Sequence, residues 1–221
     1  ISISALALCV ATRALGAERC AFDETQLSFA GTPLEQAKCL LRPVKQGAAL
    51  SQPLAKLPAP LETLIGQPVD LDKTVFKNYL KANQIAVEDI GGSPTNFLAA
   101  KYFVIHDVSA PNFLDKPFPT NINDPSWSVN RVERWAKTKV AHVFVLRTGE
   151  STAPHSFVTP WRATKFEIKI LGDKGRGLFV HIELVQPRRS DPTGRKGNDA
   201  IAPTPGFTEK QLDRLALLYV N

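Results

Sequence analysis

A histidine at the end of an apolar stretch is one of two residues in this sequence best placed to do chemistry. His106 follows the aromatic and β-branched residues 102–105, a composition that favours a half-buried strand. The end of a rigid strand is a good position for a metal ligand or a general base. The ordinary alternative is a histidine whose ring is satisfied by hydrogen bonds at a strand terminus.

The second such residue is Glu183, which lies within the apolar stretch LFVHIELV at residues 178–185. Side chains alternate along a strand, so Phe179, His181 and Glu183 are expected to share the face opposite the core. A carboxylate in such a strand is costly unless it is paired or used. Glu183 is therefore either the partner of a neighbouring Arg or Lys, or a functional acid or base.

Length and charge limit the classes of protein that need to be considered. The 221 residues, 43% of them hydrophobic, suit one sizeable domain with an appendage, or two small domains. A net charge of +6 favours anionic partners. The positive charges are spread along the chain without a basic helix, so we do not expect nucleic acid to be the partner.

The first residues have the composition of an export signal. Residues 1–17, ISISALALCVATRALGA, look like the apolar part of a secretory signal peptide that is cleaved after Ala17. The apolar run ends at Arg13 and is too short to span a bilayer, so no stable membrane insertion is expected after cleavage. A buried core helix is the alternative. The chain lacks methionine, begins inside this run and ends inside a predicted helix, so we expect a fragment.

The expected export of the chain predicts a disulfide between the two cysteines that remain after cleavage. Cleavage would remove Cys9 and leave Cys20 and Cys39, which we expect to pair in an oxidising compartment. Two buried free thiols are the alternative.

Residues 18–92 are predicted to form an appendage stapled by this disulfide. A short helix over residues 32–41 would begin at Thr32, with Gln36 near the capping-box position. A second helix over residues 70–83 would be capped by Asp70 or Asp72. Prolines divide the segment between these helices. The loop GGSP at residues 91–94 separates the appendage from the main domain, residues 93–221.

The main domain is predicted to alternate strands with loops and to end in a helix. Strands are expected at residues 102–106, 141–146, 165–170 and 178–185. A helix over residues 206–221 is indicated by a capping box of Thr208 with Gln211. Its apolar face is predicted to comprise Leu212, Leu215, Ala216 and Tyr219.

A long loop follows the first of these strands. Residues 109–139 contain four prolines and four large aromatic side chains. Long irregular loops within a domain are often lids or binding loops. The alternative is a loop that anchors itself through its own aromatic side chains.

Several stretches occur in an order that resembles the zinc-dependent N-acetylmuramoyl-L-alanine amidases of type 2, whose fold peptidoglycan recognition proteins share. VIHDVSAP resembles the strand that ends in the first zinc ligand of that family, and His106 matches the ligand. AHVFVLRTGES resembles a later strand, in which the residue matched by His142 is structural. IEL resembles the strand that carries the catalytic acid/base, matched by Glu183. The F-T-x-x-Q pattern of the final helix matches residues 207–211.

The resemblance covers about residues 96–221 and carries expectations about fold and activity. It implies an α/β fold, with a central mixed β-sheet flanked by helices, here preceded by the disulfide-stapled appendage. It implies a peptidoglycan hydrolase of the bacterial cell envelope, periplasmic or secreted, that cleaves the amide between N-acetylmuramic acid and L-alanine. Zn²⁺ is the implied cofactor, His106 the metal ligand and Glu183 the catalytic residue. Trp161 and Arg162 are expected to contact peptidoglycan or muropeptides.

The same resemblance places two further zinc ligands, a His and an Asp or Cys, after the final helix. The chain ends at Asn221, so these ligands would lie beyond it and the fragment itself is expected to be inactive. The family pattern does not support His155 or His181 as substitutes. A non-catalytic peptidoglycan-binding module is the alternative function, and a secreted structural protein is a third.

Overall fold

The computed structural model describes residues 20–41, 54, 56–69, 71–93, 100–161, 171–190 and 201–221. The predicted signal peptide, the predicted strand at residues 165–170 and Arg162 lie outside these ranges. Contacts divide the chain into two units, Ile1–Pro68 and Val69–Asn221. The second unit begins at Val69, ahead of the predicted start of the main domain at Ser93.

The first unit contains the predicted disulfide. The ribbon of β1 (Phe22–Asp23) and β2 (Ser28–Phe29) precedes α1 (Pro33–Leu40), and α2 spans Ala59–Glu62. Cys20 and Cys39 are bonded, which confirms the pairing. Thr32 caps α1 as predicted, but its capping-box partner is Glu35 and not Gln36, because Glu35 is the third helical residue.

The second unit is a mixed α/β structure, which confirms the predicted α/β class. Its elements are α3 (Lys73–Ala82), β3 (Tyr102–Asp107), α4 (Val132–Trp135), β4 (Val143–Val145), β5 (Ser151–Thr152), β6 (Phe179–Leu184) and α5 (Glu209–Val220). Short 3-10 turns cover Val87–Ile90, Ser128–Asn130 and Gly172–Gly175. Among the described residues the sheet order is β3-β6-β4-β5. Strand β6 runs parallel to β3 and β4, and β5 runs antiparallel to β4.

The main core lies on one face of this sheet. Val143 and Val145 of β4 and Val180, Ile182 and Leu184 of β6 point to this side. Helices α3 and α5 cover it, and their contribution includes the buried side chains Phe76, Leu80 and Leu218. Asp72 caps α3, because its Oδ1 accepts hydrogen bonds from the backbone N–H groups of Thr74 and Val75.

The long loop after β3 is anchored by its own aromatic side chains, which is the second of the two predicted alternatives. Trp127 and Trp135 are buried in a second apolar cluster, and Phe113 and Phe118 pack against it. Phe144 of β4 belongs to the same cluster, and its ring stacks on Trp135 at a centroid distance of 5.2 Å.

The predicted apolar face of the final helix is wrong at three of its four positions, because Leu212, Ala216 and Tyr219 are exposed. Leu212 is 50% exposed and Tyr219 is 61% exposed, whereas Leu218 and the polar Gln211 are fully buried. The Nε2 amide of Gln211 donates hydrogen bonds to the carbonyl oxygens of Val145 and Val185, at 3.2 and 3.0 Å. This bond pair ties the first turn of α5 to the ends of β4 and β6, so the helix presents its polar cap to the sheet.

In the part of the chain that the structure covers, no helix is both long enough and apolar enough to cross a bilayer.

Gln211→Ala is expected to lower the free energy of unfolding by about 2–3 kcal/mol, because two buried carbonyl groups and the capping box would lose a partner. Leu212→Ala, one residue away on the exposed side, is expected to change it by no more than about 0.5 kcal/mol. Urea unfolding of both variants measures the difference. A larger loss for Leu212→Ala would contradict the helix orientation.

Candidate functional site

Two rows of side chains cross the face of the sheet that lies opposite the main core. The register pairs His106 with Glu183, and Glu183 with Phe144. Two residues earlier it pairs Val104 with His181. Because paired residues of neighbouring parallel strands project to the same side, His106 and Glu183 are neighbours on one face. The structure thus brings together the two residues that the sequence singled out.

His181 also belongs to this site, although the sequence analysis did not assign it a role. The Nε2 atom of His106 lies 2.9 Å from the Nδ1 atom of His181. Burial lowers the pKa of His106, and burial together with the neighbouring histidines lowers the pKa of His181 to about 4. Both rings are therefore neutral at pH 7, and one hydrogen atom lies between the two facing nitrogens.

His142 supports the site from the position just before β4, the other strand that neighbours β6. Its Nδ1 accepts a hydrogen bond from the backbone N–H of His181 at 3.1 Å, and its Nε2 lies 3.1 Å from the carbonyl oxygen of Thr159. A carbonyl only accepts, so Nε2 carries the hydrogen and the tautomer is fixed. Both ring nitrogens are thus occupied, and His142 has no lone pair left for a metal. A structural role, as the resemblance implies for His142, follows from these bonds.

Glu183 is half-buried, and its carboxyl group lacks a compensating partner in the described part of the chain. Among the described residues its Oε2 has no hydrogen-bond partner, and no described Lys or Arg forms an ion pair with it. Burial raises the pKa of Glu183 to about 7. The strand register explains this desolvation, because Glu183 lies between the neutral His106 and the apolar ring of Phe144. Such a group exchanges a proton near neutral pH.

The residue after His106 fixes the end of β3. The Oδ1 atom of Asp107 accepts hydrogen bonds from the backbone N–H and the hydroxyl of Ser109, at 2.6 and 3.1 Å. Its Oδ2 atom forms an ion pair with Arg188, which follows β6. The end of β3 is thereby held to the chain that follows its neighbouring strand. The sequence HDVS contained this signal, because Asp followed two residues later by Ser is typical of a side-chain-capped turn.

Trp161 lies beyond the histidines. Its ring stacks on that of His155 at a centroid distance of 3.8 Å, and His155 lies 6.4 Å from His142. Further ring contacts join His142 to His181 and His181 to His106, at 6.1 and 5.2 Å. All four histidines of the sequence therefore form one line that leads from Trp161 to His106. Arg162, the other predicted substrate contact, is outside the described residues.

The expected zinc ion fits these residues in part. The facing nitrogens of His106 and His181 are neutral imidazole donors, which suit zinc. The described residues contain no group of three or more His, Cys, Asp or Glu side chains that could hold a metal. A catalytic zinc site uses three protein ligands, so a third ligand is not identified among them.

The chain matches no protein-family model, no curated protein and no solved structure. The resemblance to type 2 amidases therefore stays a prediction.

Glu183→Gln is expected to stabilise the metal-free protein at about pH 8 and to leave its stability unchanged at about pH 4. The folded-state pKa of about 7 exceeds the ordinary value of 4.5, so wild-type stability falls as pH rises through this interval and stays low above it. Gln remains neutral throughout. The gain above pH 7 is expected to be about 2 kcal/mol, since partial exposure reduces the effect of the full shift.

Urea unfolding in the presence of EDTA, from about pH 4 to pH 8, measures this difference. Glu150→Gln is the matched control, because Glu150 is an exposed carboxylate on the turn before β5. A Glu183→Gln effect of equal size at all pH values would show that burial does not hold the proton on Glu183.

Proposed function

We propose that the protein is a peptidoglycan hydrolase that cleaves the amide between N-acetylmuramic acid and the L-alanine of the stem peptide. The observation that carries this proposal is the pairing of His106 with Glu183 in register on one face of the sheet. A metal ligand beside a general base is the combination that metal-assisted amide hydrolysis requires. The order of the motifs along the chain, which resembles type 2 amidases, selects the substrate.

In this proposal Glu183 transfers the protons. Its pKa of about 7 leaves a substantial fraction of the carboxylate form at neutral pH, so it takes a proton from the attacking water. The same group, once protonated, gives that proton to the amine of the leaving L-alanine. The buried Oε2 atom has no described partner to compete for either step.

His106 would hold the zinc ion by a neutral ring nitrogen. When bound, zinc supplies a water of lowered pKa and polarises the scissile carbonyl group. The contribution of the chain is to orient the His106 ring, which it does through the ladder of β3 with β6 and through the bonds of Asp107 at the strand end.

Three features of the chain are compatible with this substrate and compartment. The indole of Trp161, stacked on His155, is a rigid aromatic surface of the kind that packs against a sugar ring. A net charge of +6 suits an anionic wall polymer. The Cys20–Cys39 disulfide is typical of proteins in oxidising compartments, which supports a periplasmic or secreted location.

Glu183→Ala is expected to lower the rate of muropeptide cleavage by at least about 100-fold, because the proton acceptor is lost. The assay supplies the full-length protein with zinc and a purified muropeptide, and measures the released stem peptide by mass spectrometry. Glu150→Ala, which removes an exposed carboxylate, serves as the control and is expected to keep the wild-type rate.

An unchanged rate in Glu183→Ala would remove Glu183 from the mechanism. Retention of the wild-type protein on intact cell-wall sacculi, with no release of stem peptide under any metal loading, would overturn the hydrolase and favour the non-catalytic binding module.

A further inference from the structure

The contact between His106 and His181 has a chemical consequence beyond a hydrogen bond. The Nε2 and Nδ1 atoms face each other at 2.9 Å across two adjacent strands. Each nitrogen carries either the shared hydrogen or the lone pair that accepts it. If that hydrogen moves to the other nitrogen of its own ring, both facing nitrogens present a lone pair to the space between them, and no proton is gained or lost.

The spacing of the two nitrogens is close to that of a metal-bound pair. Zinc binds histidine nitrogens at about 2.0–2.1 Å, so two such ligands in tetrahedral geometry lie roughly 3.3 Å apart. The observed separation of 2.9 Å needs to open by about 0.4 Å, and each ring must also turn by roughly 35° so that its lone pair points at the ion and not at the other nitrogen.

We infer that His181 is a second metal ligand, and that His181 Nδ1 and His106 Nε2 together bind one divalent cation of the zinc class between β3 and β6. This inference rests on the proposed function only in taking His106 as a metal ligand. It differs from the pattern of the type 2 amidases, in which no ligand is expected at position 181.

The surroundings of His181 hold it in position for this role. The backbone N–H of His181 is bonded to His142 Nδ1, and His142 is in turn fixed by the carbonyl oxygen of Thr159. The ring of His142 also stacks on that of His181. Such support of a ligand by neighbouring hydrogen bonds is a regular feature of metal sites.

His142 does not compete for the role. His142 uses both ring nitrogens in the bonds just described. His155 stacks on Trp161, and its nearest ring neighbour along the histidine line is His142. His155 is therefore a matched control, because it is the same residue type on the same line but is not part of the facing pair.

The test is a metal titration of the 221-residue chain after metal removal with EDTA and dialysis. Co²⁺ binding is followed by visible absorption, and Zn²⁺ binding by competition with a chromophoric chelator. The wild type is expected to bind one equivalent. His106→Ala and His181→Ala are each expected to weaken binding by at least about tenfold, and His155→Ala by less than about threefold. X-ray absorption of the zinc complex is expected to show two imidazole ligands.

His181→Asn replaces His181→Ala in the titration if the alanine variant is poorly folded, because Asn retains a polar side chain next to His106. Circular dichroism and urea midpoints confirm that the compared variants are folded. Wild-type affinity in a folded His181 variant, or the absence of binding to the wild type, overturns the inference.

The outcome is separate from that of the proposed function. Metal binding that needs both histidines, without cleavage of any muropeptide by the full-length protein, would overturn the hydrolase and sustain the two-histidine site. Muropeptide cleavage, together with metal binding that does not depend on His181, would sustain the hydrolase and overturn the two-histidine site.

Discussion

The register of β6 between β3 and β4 is the constraint on which the site depends. The ladder pairs Glu183 with His106 on one side and with Phe144 on the other. A shift of one residue in either ladder would turn the affected side chains to the opposite face. Such a shift would carry Glu183 into the main core and expose Ile182, which is fully buried among the valines and leucines of that core. The apolar face thus specifies the register, and the register places the chemistry on the other face.

Two ionisable groups near the sheet, Arg147 and the half-buried Glu183, respond differently to the loss of solvent. Arg147 is 1% exposed, yet its guanidinium donates hydrogen bonds to Asn123, Gln186 and the carbonyl oxygen of Gly206. Burial lowers the pKa of Arg147 to about 10, so it stays charged at neutral pH and joins three segments of chain. Glu183 has no comparable set of described partners, and its pKa rises to about 7 instead. A satisfied charge is structural, whereas an unsatisfied carboxyl group is poised to exchange a proton.

Local patterns in the sequence were sufficient for two of the strands and for the cap of the final helix, because each depends on residues close together or on strict alternation. The strand of His106, the strand of Glu183 and the capping box of Thr208 with Gln211 are of this kind. The orientation of α5 was not predictable in the same way. Its buried side contains Gln211, whose position depends on hydrogen bonds to carbonyl groups at the ends of β4 and β6. Hydrophobicity alone predicts that Leu212 is buried, but Leu212 is exposed. The contact of His181 with His106 spans 75 residues and depends wholly on which strands are neighbours.

The long loop after β3 contributes to the site through its anchoring. Its residue Trp135 stacks on Phe144, and Phe144 stands beside Glu183 in the register. The packing of the loop therefore keeps an apolar wall next to the carboxyl group, and desolvation is the cause of the raised pKa of Glu183. The two interpretations of the loop, self-anchored or functional, are thus joined by a physical mechanism. A loop buried by its own tryptophans lowers the local polarity, and the lowered polarity brings a glutamate into the pH range where it can act as a base.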